Sequence, residues 1–521
     1  MPPPRRRLTP ALVVVLLTGA LLTACSGGSS RDTAATKPLH GGVLRVGVVG
    51  LASLDPTRGE NPASALAASL LFQPLVGLDP VTSNPVPGLA RAWHANPTAT
   101  VFTFDLRADA RFHDGTPVTA ADVKATIDRV RAPGSGSPFA GILAVVHDVA
   151  APDAHTVVVT TTRPFAVLPA VFSQPGLGIE PRALAANPAR LAASPIGSGP
   201  FRFVERNAST IVLRAVRTAP RSSPWLDEID LVPFPTVAAA YAAYQARKLD
   251  VAPLTRAESE DADRRGERLV AGPYLAVSFY ALNLRDPKLA DVRFREAIVR
   301  ALDARSLVRA GYGATAQVAG GLIPLGVPAG PTNACRGRCD YDPAESRRLL
   351  AAAFPDGKVP GIGIDFDDDP IQRAVATEVQ QQLGAVGIPA VARPHAVADY
   401  SAFVVYGGVE LFRLGWVADY PSSEAFLGPL FTAGSPTNVF GFRSTAFADA
   451  LRAAEGEQDG RRRVADFARA EAAVLDQYVT APVAQFETRM VVGPRVRGMR
   501  LDPYGAFDGG AVWLAPRPSK G

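Results

Sequence analysis

The chain has 521 residues, with 54 Lys and Arg against 49 Asp and Glu, for a formal charge of +5. Three of those positive charges are Arg5, Arg6 and Arg7, which leaves +2 for everything that follows. No basic tract is interleaved with aromatics, which removes the footprint of a nucleic-acid-binding protein, and the length allows two or three domains.

Arg5 to Arg7 precede an apolar run from Ala11 to Leu22 that only Thr18 and Gly19 dilute. A spanning helix needs about 20 apolar residues, so this run has the proportions of a signal-peptide core instead. It ends in Leu22-Thr23-Ala24-Cys25. Small residues before a cysteine resemble the bacterial lipobox, in which the thiol takes a diacylglycerol and the preceding peptide bond is cut. Residues 1–24 are therefore read as a signal peptide and Cys25 as the lipid attachment point. The other reading is an ordinary signal peptide with an incidental cysteine. From Ser26 to about Lys37 the residues are small and polar, so residues 25–38 are expected to form a flexible tether. Each buried CH₂ of an anchor contributes about 0.8 kcal/mol, so two acyl chains hold firmly. The expected location is extracytoplasmic, on the outer face of the cell membrane.

Beyond the tether, strands and helices interleave. Gly42 to Val49 reads as a strand and Ala63 to Phe72 as a helix. Val101 to Arg107 alternates apolar and polar, the pattern of a half-buried strand. Phe112-His113-Asp114-Gly115 is a turn, because Asp-Gly tolerates positive φ. Thr119 opens a helix with Asp122 as its capping partner. Strands are expected at His155–Thr161 and Ser209–Val216, and a helix at Val237–Lys248. In the second half, Asp291–Leu302 is helical, and Asp342-Pro343 caps a helix over Ala344–Phe354. Ile362–Phe366 is a short strand. Ile371, Val375, Val379 and Leu383 form a core-facing helical stripe. Glu410–Trp416 is a strand, and Arg461–Tyr478 a long amphipathic helix whose Arg461-Arg462-Arg463 run reads as a solvated face. Such alternation argues for α/β layers.

Catalytic signatures are absent: there is no Gly-x-Ser-x-Gly elbow, His-Glu-x-x-His pair or phosphate-binding Gly-rich loop. No cofactor and no metal is expected. Asp365-Phe366-Asp367-Asp368-Asp369 invites a calcium reading, but Pro370 stands where an EF-hand loop needs Gly and Ala376 where it needs Glu. His113 reads as a turn residue rather than a general base. Cys335 and Cys339 flank Arg336-Gly337-Arg338. In an oxidising compartment they read as a local disulfide, with free thiols the other possibility. A metal site would lack a nearby His or second Cys pair.

Several segments carry a family resemblance. Ser53-Leu54-Asp55-Pro56 is the first. The longest runs from Gly88-Leu89-Ala90-Arg91-Ala92-Trp93 through Phe102–Val123. Pro195-Ile196-Gly197-Ser198-Gly199-Pro200-Phe201, Asp291–Ala297, Tyr341-Asp342-Pro343-Ala344 and Gly415-Trp416-Val417-Ala418-Asp419-Tyr420-Pro421 follow in order. Together they resemble the family 5 extracellular solute-binding proteins, the oligopeptide, dipeptide and nickel-binding lipoproteins of ABC importers. The resemblance implies an α/β, two-lobed, periplasmic-binding-protein-like fold (type II, cluster C) with an extra insert in lobe one. By position, lobe one should comprise 39–75, 188–277 and 487–521, the insert 76–187, and lobe two 278–486.

The resemblance also implies a function. The protein should capture peptides between two hinged lobes and deliver them to a permease and its ATPases. It should act as a monomer tethered by Cys25, and not as an enzyme. Other readings keep the scaffold but bind a sugar, opine or metal chelate, or lose ligand binding altogether. Asp419 aligns with the family's partner for a ligand ammonium, and could instead cap a helix beginning near Ser422. Trp416 could wall the pocket or belong to the core. Tyr280 and Asn283 flank the crossover between lobes, and Ser53 and Leu54 are expected to line the lobe-one side. The family's second acid after the proline is missing here, where Ser422-Ser423-Glu424 stands instead.

Overall fold

The computed structural model describes residues 37–217, 223–328, 330 and 333–517. The expected signal peptide, Cys25 and most of the expected tether lie outside the described residues. The first strand, β1 (Val43–Val49), is apolar except for Arg45, as suits a strand inside a sheet. Asn61 caps α1 (Pro62–Leu71) by accepting from the Ser64 amide at 3.0 Å, and Pro62 occupies the first turn, where a missing donor costs nothing.

A separate antiparallel sheet follows. It contains β2 (Ala90–Ala95), β3 (Val101–Leu106), β4 (Val146–Ala150) and β5 (Thr156–Thr161), in the order β2-β3-β5-β4. β3 buries Phe102, Phe104 and Leu106 and leaves the residues between them half-buried, following its alternation. Between β3 and β4 lies α2 (Ala120–Arg131), and Asp122 accepts from the Thr119 amide at 2.9 Å and hydroxyl at 2.6 Å, as the capping pair predicts.

The main sheet resumes with β6 (Phe201–Arg206), β7 (Ile211–Ala215), β8 (Glu228–Phe234), α3 (Val237–Gln245) and β9 (Val251–Leu254). Next comes β10 (Leu269–Leu282), 14 residues long. The following region supplies α4 (Val292–Arg300), α5 (Pro343–Ala353), β11 (Ile362–Asp367), α6 (Pro370–Val386), β12 (Ala390–His395), β13 (Leu411–Val417), α7 (Glu424–Phe431), α8 (Thr445–Gly456) and α9 (Gly460–Leu475). The chain returns through β14 (Thr480–Val492). The helix expected to reach Tyr478 ends at Leu475, and Tyr478 adopts a left-handed φ of 50° that stops it.

One 11-stranded sheet runs β12-β11-β13-β10-β14-β9-β1-β8-β7-β6, with Ala316–Val318 attached to β14. β10 and β14 pair with each other at both ends of their length, and the register slips between Pro273 and Val277. On one side of that slip β14 pairs with β9, and on the other β10 pairs with β13. Pro273 has no amide to give to the ladder, which accounts for the break. One core packs α1 against β1, β7 and β8 through Leu66, Leu70, Val46 and Leu231. A second packs α4 and α6 against β11 through Phe294, Val379 and Ile364. The insert's core, with Phe102, Phe104 and Phe172, continues into Phe431 and Phe467 of α7 and α9. Cys335 and Cys339 are bonded to each other, with Cα atoms 4.8 Å apart. The fold is thus an α/β, two-lobed, type II arrangement, as expected.

Candidate functional site

Three cavities meet where β10 and β14 cross between the lobes. The first, about 710 Å³, lies between Val48 and Pro62 on one side and Arg413 and Trp416 on the other, with Tyr274 and Arg489 from the crossing strands. The second, about 290 Å³, shares Tyr274 and Val417 with the first and reaches Glu60, Gln174, Asp419 and Tyr504. The third, about 860 Å³, opens between the insert and α7–α8 and shares Trp416 and Asp419.

Asp419 lines both the second and the third cavity. Its carboxylate makes no ion pair or hydrogen bond with any described residue. Burial, with the like charge of Glu60 second, pushes its carboxyl up to about 6. Its backbone carbonyl accepts from the Gln174 amide of the insert, which holds the turn in place. Asp419 does not cap the following helix: α7 starts at Glu424, and the residue at the cap position is Ser423. Trp416 is half-buried, and its indole Nε1 donates to the Ala425 carbonyl at 2.7 Å, bracing α7 while one side of the ring lines the cavities.

Four other expected residues stand away from these cavities. Tyr280 is 1% exposed and belongs to the lobe-two core. Asn283 ends β10, where its amide donates to Val409 O at 2.9 Å and its side-chain oxygen accepts from Arg285 N. At about 3.3 Å per residue it is roughly 23 Å along the strand from Ala276, which does line the cavity. Leu54 is buried in the lobe-one core. Ser53 accepts from the Asp55 amide at 3.0 Å and turns the chain.

The motif residues around Ser53 and Leu54 fasten the insert instead. Arg129 of α2 grips Asp55 through two bonds of 2.9 and 2.8 Å and also binds Glu180. Burial opposes ionisation of Asp55, yet Arg129 and Thr57 leave its carboxyl below the usual range. Burial pushes the Glu180 carboxyl up in spite of Arg129. His113 is likewise a fastener. Its Nδ1 accepts from Gly197 N at 3.2 Å, and its Nε2 lies 3.0 Å from Gly199 O, which makes Nε2 the protonated nitrogen. Burial holds its pKa down at about 4, so the ring is neutral.

The Asp365–Asp369 cluster is consumed internally. Asp365 pairs with Arg393 and His395 at 2.8 Å each, Asp367 with Arg413 at 3.4 Å, and Asp368 with Arg373. Asp369 caps α6. Among the described residues no group of three or more acidic, His or Cys side chains forms a metal site. Arg413 carries this network into the first cavity, where Arg489, paired with Asp263 at 3.5 Å, supplies a second guanidinium. The first cavity thus presents two guanidinium groups, each paired with an acid, and the second and third present the unpaired carboxylate of Asp419. Arg413, Arg489, Glu60 and Gln174 come from four separate segments. Only Arg413 carried a signal in the sequence, since it shares an alternating strand with the Gly415–Pro421 segment.

Comparison with known proteins gives a consistent picture. The family model for bacterial extracellular solute-binding proteins, family 5 Middle, matches residues 84–438. A Brucella ovis protein provisionally named an ABC transporter peptide-binding protein is 29% identical over 424 residues, covering 76% of this chain and 78% of its own. The glutathione-binding protein GsiB of Escherichia coli O157:H7 is 26% identical over 409 residues, again covering 76% and 78%. The fold matches that of the periplasmic murein tripeptide-binding protein MppA in its unliganded open form, with a TM-score of 0.83 at 22% identity over 91% of this chain and 98% of that one. No described helix is long and apolar enough to cross a membrane.

Proposed function

Because this chain belongs to the family 5 bacterial extracellular solute-binding proteins, we propose that it captures short peptides between its lobes and hands them to an ABC permease driven by cytoplasmic ATPases. The observation that carries the reading is Asp419, a carboxylate with no cation partner among the described residues, where the second and third cavities adjoin. An ion left unpaired away from water costs several kcal/mol, so the site is built for a cation brought by the ligand. A peptide α-ammonium supplies one. Arg413 and Arg489, which line the adjoining first cavity, suit the carboxylate of the same ligand. Peptide- and glutathione-binding relatives support the same class of ligand.

Capture then works by population shift. Contacts to both lobes exist only when they close, so a ligand touching both favours the closed form. The slipped register of β10 against β14 is where such bending would be accommodated. Diacylglycerol on Cys25 would keep the protein beside its permease, and Cys25→Ala should release it into the aqueous phase on detergent partitioning.

The direct test is calorimetric titration with a free-amine tripeptide. Asp419→Ala should weaken binding at least tenfold, about 1.4 kcal/mol. N-acetylation of the peptide should cost the unaltered protein a similar factor. Equal affinity of acetylated and free peptides would sink the assignment of Asp419.

A further inference from the structure

The third cavity contains a charge imbalance that Asp419 alone does not explain. Glu424 and Glu455 both face it and are only 5% and 7% exposed. They share one cation, Arg163, which reaches across from the insert to within 3.4 Å of Glu424 and 2.5 Å of Glu455. The Tyr420 hydroxyl also donates to Glu424. Arg452 at the rim is already paired with Asp449 at 2.9 Å. The cavity is therefore lined by three carboxylates, Asp419 included, against Arg163 and the Asp449-paired Arg452.

Arg163 also shows what these glutamates hold. It is the more exposed partner, with 43% of its side chain open to solvent, and its guanidinium lies 4.8 Å from the centre of the Phe165 ring. A guanidinium bound by two nearly buried carboxylates beside an aromatic face is a cation subsite with one of its two places taken. Burial pushes the carboxyls of both glutamates up, in spite of Arg163. The walls add Phe431 and Phe447, which suit the methylene stem of a long basic side chain.

We propose that this cavity is a side-chain subsite for a basic residue, so that a ligand held by its ammonium at Asp419 places an adjacent Lys- or Arg-like side chain beside Glu424 and Glu455. The proposal rests on the peptide reading of the same cleft and adds the class of side chain it prefers. With both ligand cations in place, the three carboxylates gain two partners besides Arg163. The absence of the family's second acid at Ser422 and Ser423 then has a counterpart one residue later, in Glu424, which faces the insert.

Titration of the unaltered protein with matched peptides, Lys-Ala-Ala against norleucine-Ala-Ala and Arg-Ala-Ala against citrulline-Ala-Ala, tests it. Each basic peptide should bind at least tenfold more tightly than its neutral twin, about 1.4 kcal/mol. In Glu455→Gln that ratio should fall to about twofold or less. If Glu455 served only to hold Arg163, both peptides would weaken together and the ratio would persist, which overturns the proposal. Equal binding of basic and neutral peptides by the unaltered protein also overturns it while leaving the peptide reading intact. Failure of all four peptides to bind removes both. The comparison on the unaltered protein decides the matter even if the variant does not fold.

Discussion

Asp419 links ligand capture to pH. Its carboxyl, pushed up to about 6 in the free protein, must be ionised to hold an ammonium. Affinity for a free-amine peptide should therefore be greatest near pH 7, fall below about 6, approaching tenfold per unit, and decline again above about 8 as the peptide's own amine loses its proton. Asp419→Asn should bind weakly at every pH and lose the fall on the acid side, which titration at four pH values would reveal. Arg129 is the other residue whose removal has a clear consequence. Arg129→Met would leave Glu180 with no cation and Asp55 with only the more distant Arg58, 3.8 Å away, a loss of about 3 kcal/mol. Thermal melting should show it as a large drop. At this scale the sequence led to Asp419 because its segment is one contiguous stretch, and the structure places that residue on two of the cavities. The sequence was misleading at Tyr280 and Asn283, because which face and which length of β10 meets the cleft depends on where the strand crosses, and Pro273 sets that only through pairing with β14. Arg163, Glu455 and Glu60 carried no signal, since their roles arise from contacts between segments far apart in the chain.

Elements with a local cause were the legible ones. α2 follows from Thr119 and Asp122, α5 from Asp342 and Pro343, and α6 from its apolar stripe and Asp369. β10 and β14 were expected only through the family resemblance, as hinge strands near Tyr274–Leu282 and Gln485–Val491, because Gly272-Pro273 imitates a turn and both strands are buried over much of their length without clean alternation. The turn at Phe112–Gly115 and the Gly197-Ser198-Gly199 segment, far apart in the chain, clasp each other through His113. A Cβ at Gly199 would lie 2.4 Å from Leu70 O, and backbone cannot yield as a side chain does. Gly199→Ala should thus cost about 1–3 kcal/mol by overpacking, measurable by urea unfolding. Peptide affinity in the folded fraction should stay within about twofold, since no cavity that Asp419 lines includes Gly199.

For the whole molecule, several acids are strained by burial at once. Asp419 is pushed up to about 6, and Glu455, Glu471 and Asp502 to about 7, burial being the largest cause for each. Each binds its proton more tightly folded than unfolded. Their contribution is complete below about pH 4 and disappears as pH rises through 6 to 7. Opposed to them, Glu457, held down at about 2 by Arg462, loses its contribution in strong acid. The ligand-free protein should melt higher at pH 5 than at pH 8, as differential scanning fluorimetry would register. A basic peptide should narrow the gap by pairing the acids in the cleft.

The position of β14 bears on how the chain can be made. Its strand is nearly the last written, yet it lies in the interior of the sheet, between β10 and β9. A ribosome delivering the chain from its N-terminus therefore cannot complete the sheet across the two lobes until residue 492 has emerged. Up to then β9 and β10 each have an edge without its final partner, an invitation to pairing between chains. A nonsense codon near 480 would be expected to yield aggregate rather than a smaller binding protein, and late closure of the sheet leaves a long interval in which the chain is still threadable.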